Sequence, residues 1–298
     1  MRKKTIQELT IIDNFMFGAV MMVPENCKEL LERTLGITIG RIEISKEKSI
    51  VYNPEYKGIR LDIYARDEEN THYNVEMQAL QETNILKRSR YYHSQLDMEL
   101  LLSGSSYKEL PQTYVIFICD FDPFGEKKYR YTMKQVCEET PEVEIDDGAH
   151  TIFLSTKGEN PEEVPKGLVA FLEFVKTPLE ESERDFQDAY ISRLQDTIKN
   201  IKVSREMGAR YMTFQELLED ERERGRAEGI EIGKTEGIEI GKAQGKSEGI
   251  LTLLSDTGEI PTDLTQRIQQ ETKEDILKKW LKLAAKVETV AEFQEKME

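Results

Sequence analysis

The sequence is short of the residues that build disulfide frameworks and zinc sites. Its 298 residues include only three cysteines and three histidines. The cysteines are odd in number and lack metal-ligand spacing, which favours a reducing, cytoplasmic location over a disulfide-bonded fold: Cys27, Cys119 and Cys137. Cys119 lies in an apolar run and is expected to be buried. The dispersed histidines predict no zinc site, and each is expected at the surface or in a turn: His72, His93 and His150.

Long apolar runs are also missing. No stretch approaches the roughly 20 apolar residues that cross a bilayer. No signal-type apolar run follows Met1–Lys4. The sequence therefore predicts a protein without a membrane partner.

A surplus of positive charge is missing as well, because the formal net charge is −16. A general nucleic-acid binder needs cations for its phosphate contacts, so this charge argues against that class. The acidity is uneven: residues 1–135 carry 19 basic and 20 acidic side chains, whereas residues 136–224 carry 11 and 22. For the N-terminal region we expect weak, salt-sensitive DNA contact, or dependence on a partner.

The most informative segment that is present runs from Gly58 to Gln78. Apolar and polar residues alternate from Ile59 onwards, which is typical of a half-buried strand. A polar run, Asp67–Thr71, suits a turn. A hairpin symmetric about this turn would place Asp62 opposite Glu76, and Arg60 opposite Gln78.

Two acidic residues facing each other destabilise a sheet, so such a pair is either exposed to water or neutralised by a cation. Converging carboxylates suit Mg²⁺, which binds a few hard oxygen ligands and keeps several of its waters. The alternative is that Asp62 and Glu76 are ordinary acids on the solvated face of a hairpin.

Asp62, followed fourteen residues later by Glu76-Met77-Gln78, resembles the D…ExK core of the PD-(D/E)XK nuclease superfamily, with glutamine in place of lysine. The flanking residues resemble one branch of it, the recombination-promoting nuclease and transposase family. They are Asp13–Phe17, Arg88–Tyr92, Leu96-Asp97, Gly104, Tyr107 and Leu110-Pro111. The resemblance covers roughly residues 5 to 135.

This resemblance implies an α/β fold with a mixed central sheet flanked by helices. It implies that Asp62 and Glu76 hold Mg²⁺, with Mn²⁺ as a substitute, and that the carbonyl of Met77 is a further ligand. Gln78 stands where the superfamily has a lysine that orients the attacking water, and members of this branch commonly carry glutamine there. Asp13 is either an additional acid of the site or the N-cap of the first helix.

A helix is predicted over Ile85–Leu102, with a core-facing stripe of Leu86, Leu96, Leu100 and Leu101. In related nucleases the helix after the core presents polar groups to the phosphate backbone. This implies substrate contacts from four residues: Arg88, Arg90, Tyr91 and Gln95. The alternative is an ordinary surface helix with solvated arginines.

The pattern along the chain predicts four regions. Residues 1–178 form the nuclease-like domain, with strands at Gln112–Asp120, Lys127–Glu138 and His150–Leu154. Residues 179–224 form a long amphipathic helix, with a break near Gly208. Residues 225–249 carry a glycine at every fourth position, and residues 250–298 form a small helical module.

The glycine repeat has three interpretations. It is a helix whose glycine stripe packs closely on a partner helix, a flexible linker, or a self-association stalk that is stable only when paired. Each helical glycine costs about 1 kcal/mol relative to alanine, so an isolated helix is marginal. A homo-oligomer formed through the C-terminal helices is one expected outcome.

The sequence thus predicts a metal-dependent DNA endonuclease linked to recombination or mobile elements. RNA is not excluded as the substrate, because the core motif does not distinguish it. The alternative function is a catalytically weak or inactive nuclease-fold module that binds nucleic acid or protein and assembles through its C-terminal helices.

Overall fold

The computed structural model describes residues 3–46, 49–50, 59–81 and 83–297. Contacts divide the chain into two compact units, Met1–Phe214 and Gln215–Glu298. None of the helices described is both long and apolar enough to cross a lipid bilayer.

The first unit is a mixed α/β fold. Its helices are α1 (Asn14–Met21), α2 (Pro24–Leu35), α3 (Ile85–Leu100), α4 (Lys166–Lys176) and α5 (Ala189–Val203), and it includes the start of α6 (Arg205–Ser255). Its strands are β1 (Ile42–Lys46), β2 (Ser49–Ile50), β3 (Ile59–Arg60), β4 (Ile63–Asp67), β5 (His72–Gln78), β6 (Thr113–Cys119), β7 (Arg130–Met133) and β8 (Ala149–Ser155). Proline opens α2 at a position where its missing N–H costs nothing.

Six strands form the main sheet in the order β1-β4-β5-β6-β8-β7. β5, β6 and β8 run parallel to one another, and the other pairs are antiparallel. This mixed sheet flanked by helices confirms the predicted fold class. The predicted strand at Lys127–Glu138 is shortened to β7, whereas the predicted strands within Gln112–Asp120 and His150–Leu154 are present.

The β4–β5 hairpin has the predicted register. Ile63 pairs with Val75, and Arg66 pairs with His72. The turn is closed by Asp67, whose Oδ1 accepts the N–H groups of Glu69 at 3.0 Å and Thr71 at 2.8 Å.

The strand predicted from Gly58 onwards does not run continuously into this hairpin. β3 instead pairs with β2 in a separate two-stranded ribbon, where Arg60 lies opposite Ser49. The predicted pairing of Arg60 with Gln78 is therefore wrong. Gly58 itself lies outside the described residues.

The sheet separates two apolar cores. Helices α1, α2, α4 and α5 contribute to the larger core, which also contains alternate residues of the strands: Ile63, Val75, Ile116 and Leu154. Helix α3 covers the opposite face and packs on the intervening positions: Tyr64, Val115, Phe117 and Phe153.

The predicted core-facing stripe of helix α3 is only partly correct, because Leu96 is buried and Leu100 packs against the core, but the start of the stripe differs. Its buried positions are Ile85, Ser89, Tyr92, Gln95 and Leu96, whereas Leu86 is exposed. The core-facing stripe therefore begins one residue earlier than the leucines suggested, and the helix ends at Leu100 instead of Leu102.

The helix predicted over residues 179–224 is divided. α5 ends at Val203, Ser204 is extended, and α6 begins at Arg205, so the break lies before Gly208. The apolar stripe of α5 joins the larger core: Tyr190, Ile191, Leu194, Ile198 and Ile201. Tyr211 of α6 packs on Phe15, with ring centroids 4.9 Å apart.

The second unit contains the rest of α6 together with α7 (Thr262–Gln270), α8 (Glu274–Ala284) and α9 (Val290–Lys296). The glycine repeat is helical within α6. Apart from the neighbouring residues and the backbone of the helix itself, no described atom lies within 4 Å of a Cβ placed at Gly225, Gly229, Gly233, Gly237, Gly241 or Gly245. A separate apolar core forms beyond the repeat: Ile250, Leu254, Leu264, Ile268, Leu277, Trp280 and Phe293. The Trp280 indole donates to the carbonyl of Met297 at 2.9 Å.

Candidate active site

One face of strand β5 carries a row of four polar side chains. Because side chains alternate along a strand, every second residue from His72 to Gln78 points towards α3. Their exposed fractions are 4% for His72, 0% for Asn74, 1% for Glu76 and 7% for Gln78. Amides and carboxylates are rarely buried in succession, so this row marks the α3-facing side of β5 as a candidate functional site.

The carboxylates of Asp62 and Glu76 each accept a backbone N–H from the facing segment of the hairpin. The hairpin register, continued by one residue, places Asp62 opposite Glu76. The Asp62 N–H donates to Glu76 Oε1 at 3.1 Å, and the Met77 N–H donates to Asp62 Oδ2 at 3.2 Å. Glu76 is buried, so the interpretation of the pair as solvated surface acids does not hold for it.

The guanidinium of Arg88 neutralises this site from helix α3. Its Nη2 donates to Glu76 Oε2 at 3.3 Å, and its Nη1 donates to Gln78 Oε1 at 3.2 Å. Its Nε donates to the Tyr92 hydroxyl at 2.8 Å. The guanidinium carbon lies 5.2 Å from the centroid of the Tyr92 ring, within the range of a cation–π contact.

The pKa of Glu76 is raised because burial disfavours the ionised carboxylate, and the negative charge of Asp62 adds to this effect. The Asp62 N–H and the Arg88 charge oppose the rise without cancelling it. Burial and the Glu76 charge likewise raise the pKa of Tyr92, whose hydroxyl donates to Glu76 Oε2 at 3.4 Å. In the metal-free protein Glu76 therefore keeps its proton to a higher pH than an exposed carboxylate does.

Asn74 is a member of the site that sequence reasoning missed. Neither its Nδ2 nor its Oδ1 has a hydrogen-bond partner among the described residues. The amide lies close enough to Glu76 to favour the ionised carboxylate. Polar residues at alternate positions along His72–Gln78 were the signal that could have identified it.

The histidines are more buried than predicted. His72 is buried, and its Nδ1 hydrogen-bonds the Tyr64 hydroxyl. The two ring nitrogens of His93 contact Thr113 Oγ1 at 3.1 Å and Thr151 Oγ1 at 3.0 Å. For these two residues the expectation of a surface or turn position is wrong. Cys119, by contrast, is buried as predicted.

The remaining predicted substrate contacts are distributed around α3. Gln95 is buried, Tyr91 is partly buried beside the core on that side of the sheet, and Arg90 is exposed. Arg88 is the arginine that reaches Glu76. The roles of Arg90, Tyr91 and Gln95 as substrate contacts stay predictions.

Asp13 lies at the N-cap position of α1, as one of its two interpretations predicted. Its carboxylate accepts the Thr10 N–H at 2.8 Å and pairs with Lys4 at 2.7 Å, rather than capping α1 through its side chain. α1 packs into the core on the sheet face away from α3. Participation of Asp13 in the site stays a prediction.

The donor set fits a hard divalent cation. Asp62 and Glu76 supply carboxylates fixed by backbone N–H groups, and Asn74 adds an amide without a partner. Mg²⁺ is commonly bound through one or two carboxylates and keeps several waters. In the described part of the chain, no three histidine, cysteine or acidic residues cluster as metal ligands.

A protein-family model described as PD-(D/E)XK nuclease family transposase matches residues 6–227. The match includes the whole sheet, α3 and every candidate site residue. No curated protein and no solved structure was found to match the chain.

Proposed function

Since the chain belongs to the PD-(D/E)XK nuclease family transposases, we propose that it is a metal-dependent endonuclease that hydrolyses phosphodiester bonds in DNA. The observation that carries the proposal is the pairing of buried Glu76 with partly buried Asp62, whose carboxylates each accept a backbone N–H from the facing segment of the hairpin. Two carboxylates brought together away from water are unfavourable unless positive charge compensates them; Arg88 supplies one charge, and a divalent ion would compensate both acids.

The metal would be Mg²⁺ or Mn²⁺, held by Asp62 and Glu76, with the carbonyl of Met77 as a further ligand. When bound, such an ion polarises a phosphate oxygen and lowers the pKa of a coordinated water. The neighbouring Gln78 amide can both donate and accept hydrogen bonds, so it can orient the attacking water. It carries no charge, and we expect slower turnover than a lysine in its place would give.

Arg88 would contact two groups in succession, first the Glu76 carboxylate and then a phosphate of the substrate. Without a metal it neutralises Glu76, to which it donates at 3.3 Å. With the carboxylates compensated by a divalent ion, the Arg88 guanidinium would be available to a phosphate, which its planar fork can bind through two hydrogen bonds. Arg90, Tyr91 and Gln95 would extend the substrate contact along α3.

The near-neutral balance of residues 1–135 supports weak, salt-sensitive binding to DNA, and RNA is the alternative substrate. The family description, which names transposases, supports the link to mobile elements, and recombination is part of the same proposal. The buried, free thiols of Cys27 and Cys119 suit a cytoplasmic location.

A second candidate function is a non-catalytic assembly module. The glycine repeat of α6 exposes four isoleucines by 48% to 62%, more than a solitary helix is expected to leave in water: Ile230, Ile232, Ile238 and Ile240. Homo-oligomerisation through this helix would cover them.

The test is DNA cleavage by the full chain in Mg²⁺ or Mn²⁺, on supercoiled and linear substrates. Asp62→Ala and Glu76→Ala are the test variants, and Glu69→Ala, an exposed acid in the turn of the same hairpin, is the matched control. We expect cleavage by the wild type and the control and none by the test variants. An inactive wild type, or cleavage that survives both substitutions, would favour the assembly module.

A further inference from the structure

Asn74 is buried in the middle of the sheet, yet its side chain contributes no hydrogen bond to the fold. Its exposed fraction is 0%, and neither amide atom has a partner among the described residues. A buried amide without a partner loses its hydration and gains nothing in return, so it destabilises the folded state. Such a residue in a native fold calls for a role outside stability.

The surroundings of Asn74 do not require an amide. It lies opposite Tyr64 on β4 and Val115 on β6. The Tyr64 hydroxyl is already bonded to His72, and Val115 is apolar. An apolar side chain of similar size would satisfy these neighbours equally well.

The remaining neighbour is Glu76, two residues along β5 on the same face. Its Oε1 accepts from the Asp62 N–H, and its Oε2 accepts from Arg88 and Tyr92. If a divalent ion displaces the guanidinium, Oε2 loses its charged donor. The Asn74 amide is then at hand to hold the carboxylate.

We propose that Asn74 is a positioning residue of the metal site, whose amide orients the Glu76 carboxylate towards a bound divalent cation. The inference rests on the proposed function, because it assumes that Asp62 and Glu76 bind a metal. Outer partners of metal ligands fix the orientation of the ligand in this way, and losing one typically weakens metal affinity about 10- to 100-fold.

The experiment measures Mn²⁺ binding to the full-length protein by calorimetric titration, together with the Tm of the metal-free protein. For Asn74→Leu we expect a Kd at least about tenfold weaker, and a metal-free Tm equal to or above that of the wild type. The matched control is Val75→Ala, which opens a cavity in the opposite core. It should lower the metal-free Tm and leave the Kd of the folded protein unchanged.

Two results would overturn the inference while leaving the metal site intact. One is a leucine variant that binds Mn²⁺ as tightly as the wild type. The other is a leucine variant whose metal-free Tm falls together with its affinity, because the amide would then serve the fold. If the leucine variant does not fold, Asn74→Ala is judged by the affinity criterion. A wild type that binds no Mn²⁺ would instead refute the proposed function, and with it this inference.

Discussion

Arg88 Nη2 lies 3.3 Å from Glu76 Oε2 and compensates an acid that is only 1% exposed. The positive charge comes from helix α3, and the negative charge from the central strand it covers. The two elements are therefore joined by a charge pair at the point where a metal is expected, and the predictions below test that arrangement and its neighbours.

Replacing Arg88 by methionine should separate its contribution to the stability of the metal-free protein from its competition with a bound metal. Removing one partner of a buried charge pair destabilises the metal-free protein by about 1–3 kcal/mol where Glu76 is ionised. Mn²⁺ affinity should rise several-fold, because the competing cation is gone. Urea unfolding and calorimetric titration measure the two effects. Arg90→Met, on the exposed side of the same helix, should show neither, and an unchanged affinity in Arg88→Met would contradict the competition.

Glu76 should make the metal-free protein less stable as the pH rises. Burial and the charge of Asp62 raise its pKa from an ordinary 4.5 to about 8. Between these values the folded state binds more protons than the unfolded state, so this contribution is favourable at low pH and is lost as the pH rises through the folded pKa.

The variant Glu76→Gln removes this pH dependence. Compared with the wild type, it should be more stable by on the order of a few kcal/mol above the raised pKa, with the difference shrinking towards low pH. Urea unfolding across this pH range measures it. Glu69→Gln, in the exposed turn, should follow the wild type. A constant difference between Glu76→Gln and the wild type would show that the Glu76 pKa is not raised.

His93 should have the opposite effect to Glu76: its contribution should make the protein more stable as the pH rises. Burial between Thr113 and Thr151 lowers its pKa from an ordinary 6.5 to about 4. In this window the unfolded state binds the additional proton, so stability is lost as the pH falls from 6.5 towards 4. His93→Gln should lose that slope and cost about 1–3 kcal/mol at neutral pH, because the hydrogen bonds to the two threonines are perturbed. Chemical unfolding at both ends of the window checks this, and a slope that persists in the variant would contradict it.

The glycines of α6 should respond to alanine according to whether the helix has a partner. Outside the neighbouring residues and the backbone of α6 itself, no described atom lies within 4 Å of a Cβ at Gly233 or Gly237. In an unpaired helix, each Gly→Ala change should therefore raise local stability by about 1 kcal/mol. Hydrogen exchange measures the gain. Gly36→Ala, at a φ of 73°, is the contrasting control and should be destabilising. If the glycines instead allow close pairing of two copies, the alanine variants would show weaker association in sedimentation.

The hairpin at the centre of the site was predictable because its turn is symmetric and its alternation is regular. These two properties place Asp62 opposite Glu76 without any knowledge of the remaining fold. The burial of Glu76 was not predictable from this segment, because it depends on α3 crossing that face of the sheet. The helix itself could be predicted, but not the start of its core-facing stripe: Leu86 is more apolar than Ser89, yet Ser89 faces the core.

Long-range packing also explains the other differences between the predicted and the observed structure. His93 is half-buried because two threonines from separate strands bond its ring, and neither strand is near it in sequence. β3 leaves the hairpin because it pairs with β2. Asn74 was overlooked because asparagine in a strand suggests an edge or a turn, and only the complete sheet shows it at the centre.

The backbone N–H groups of Asp62 and Met77, which donate to Glu76 and Asp62, link correct strand pairing to the proposed site. A slip of one residue between β4 and β5 would turn Glu76 and Asn74 into the opposite core and would break the backbone contacts to both carboxylates. A chain with a mispaired hairpin would therefore lack the proposed metal site altogether. If the protein cuts DNA as proposed, the hairpin acts as a safeguard, because the reactive centre forms only after the central strands have found their native alignment.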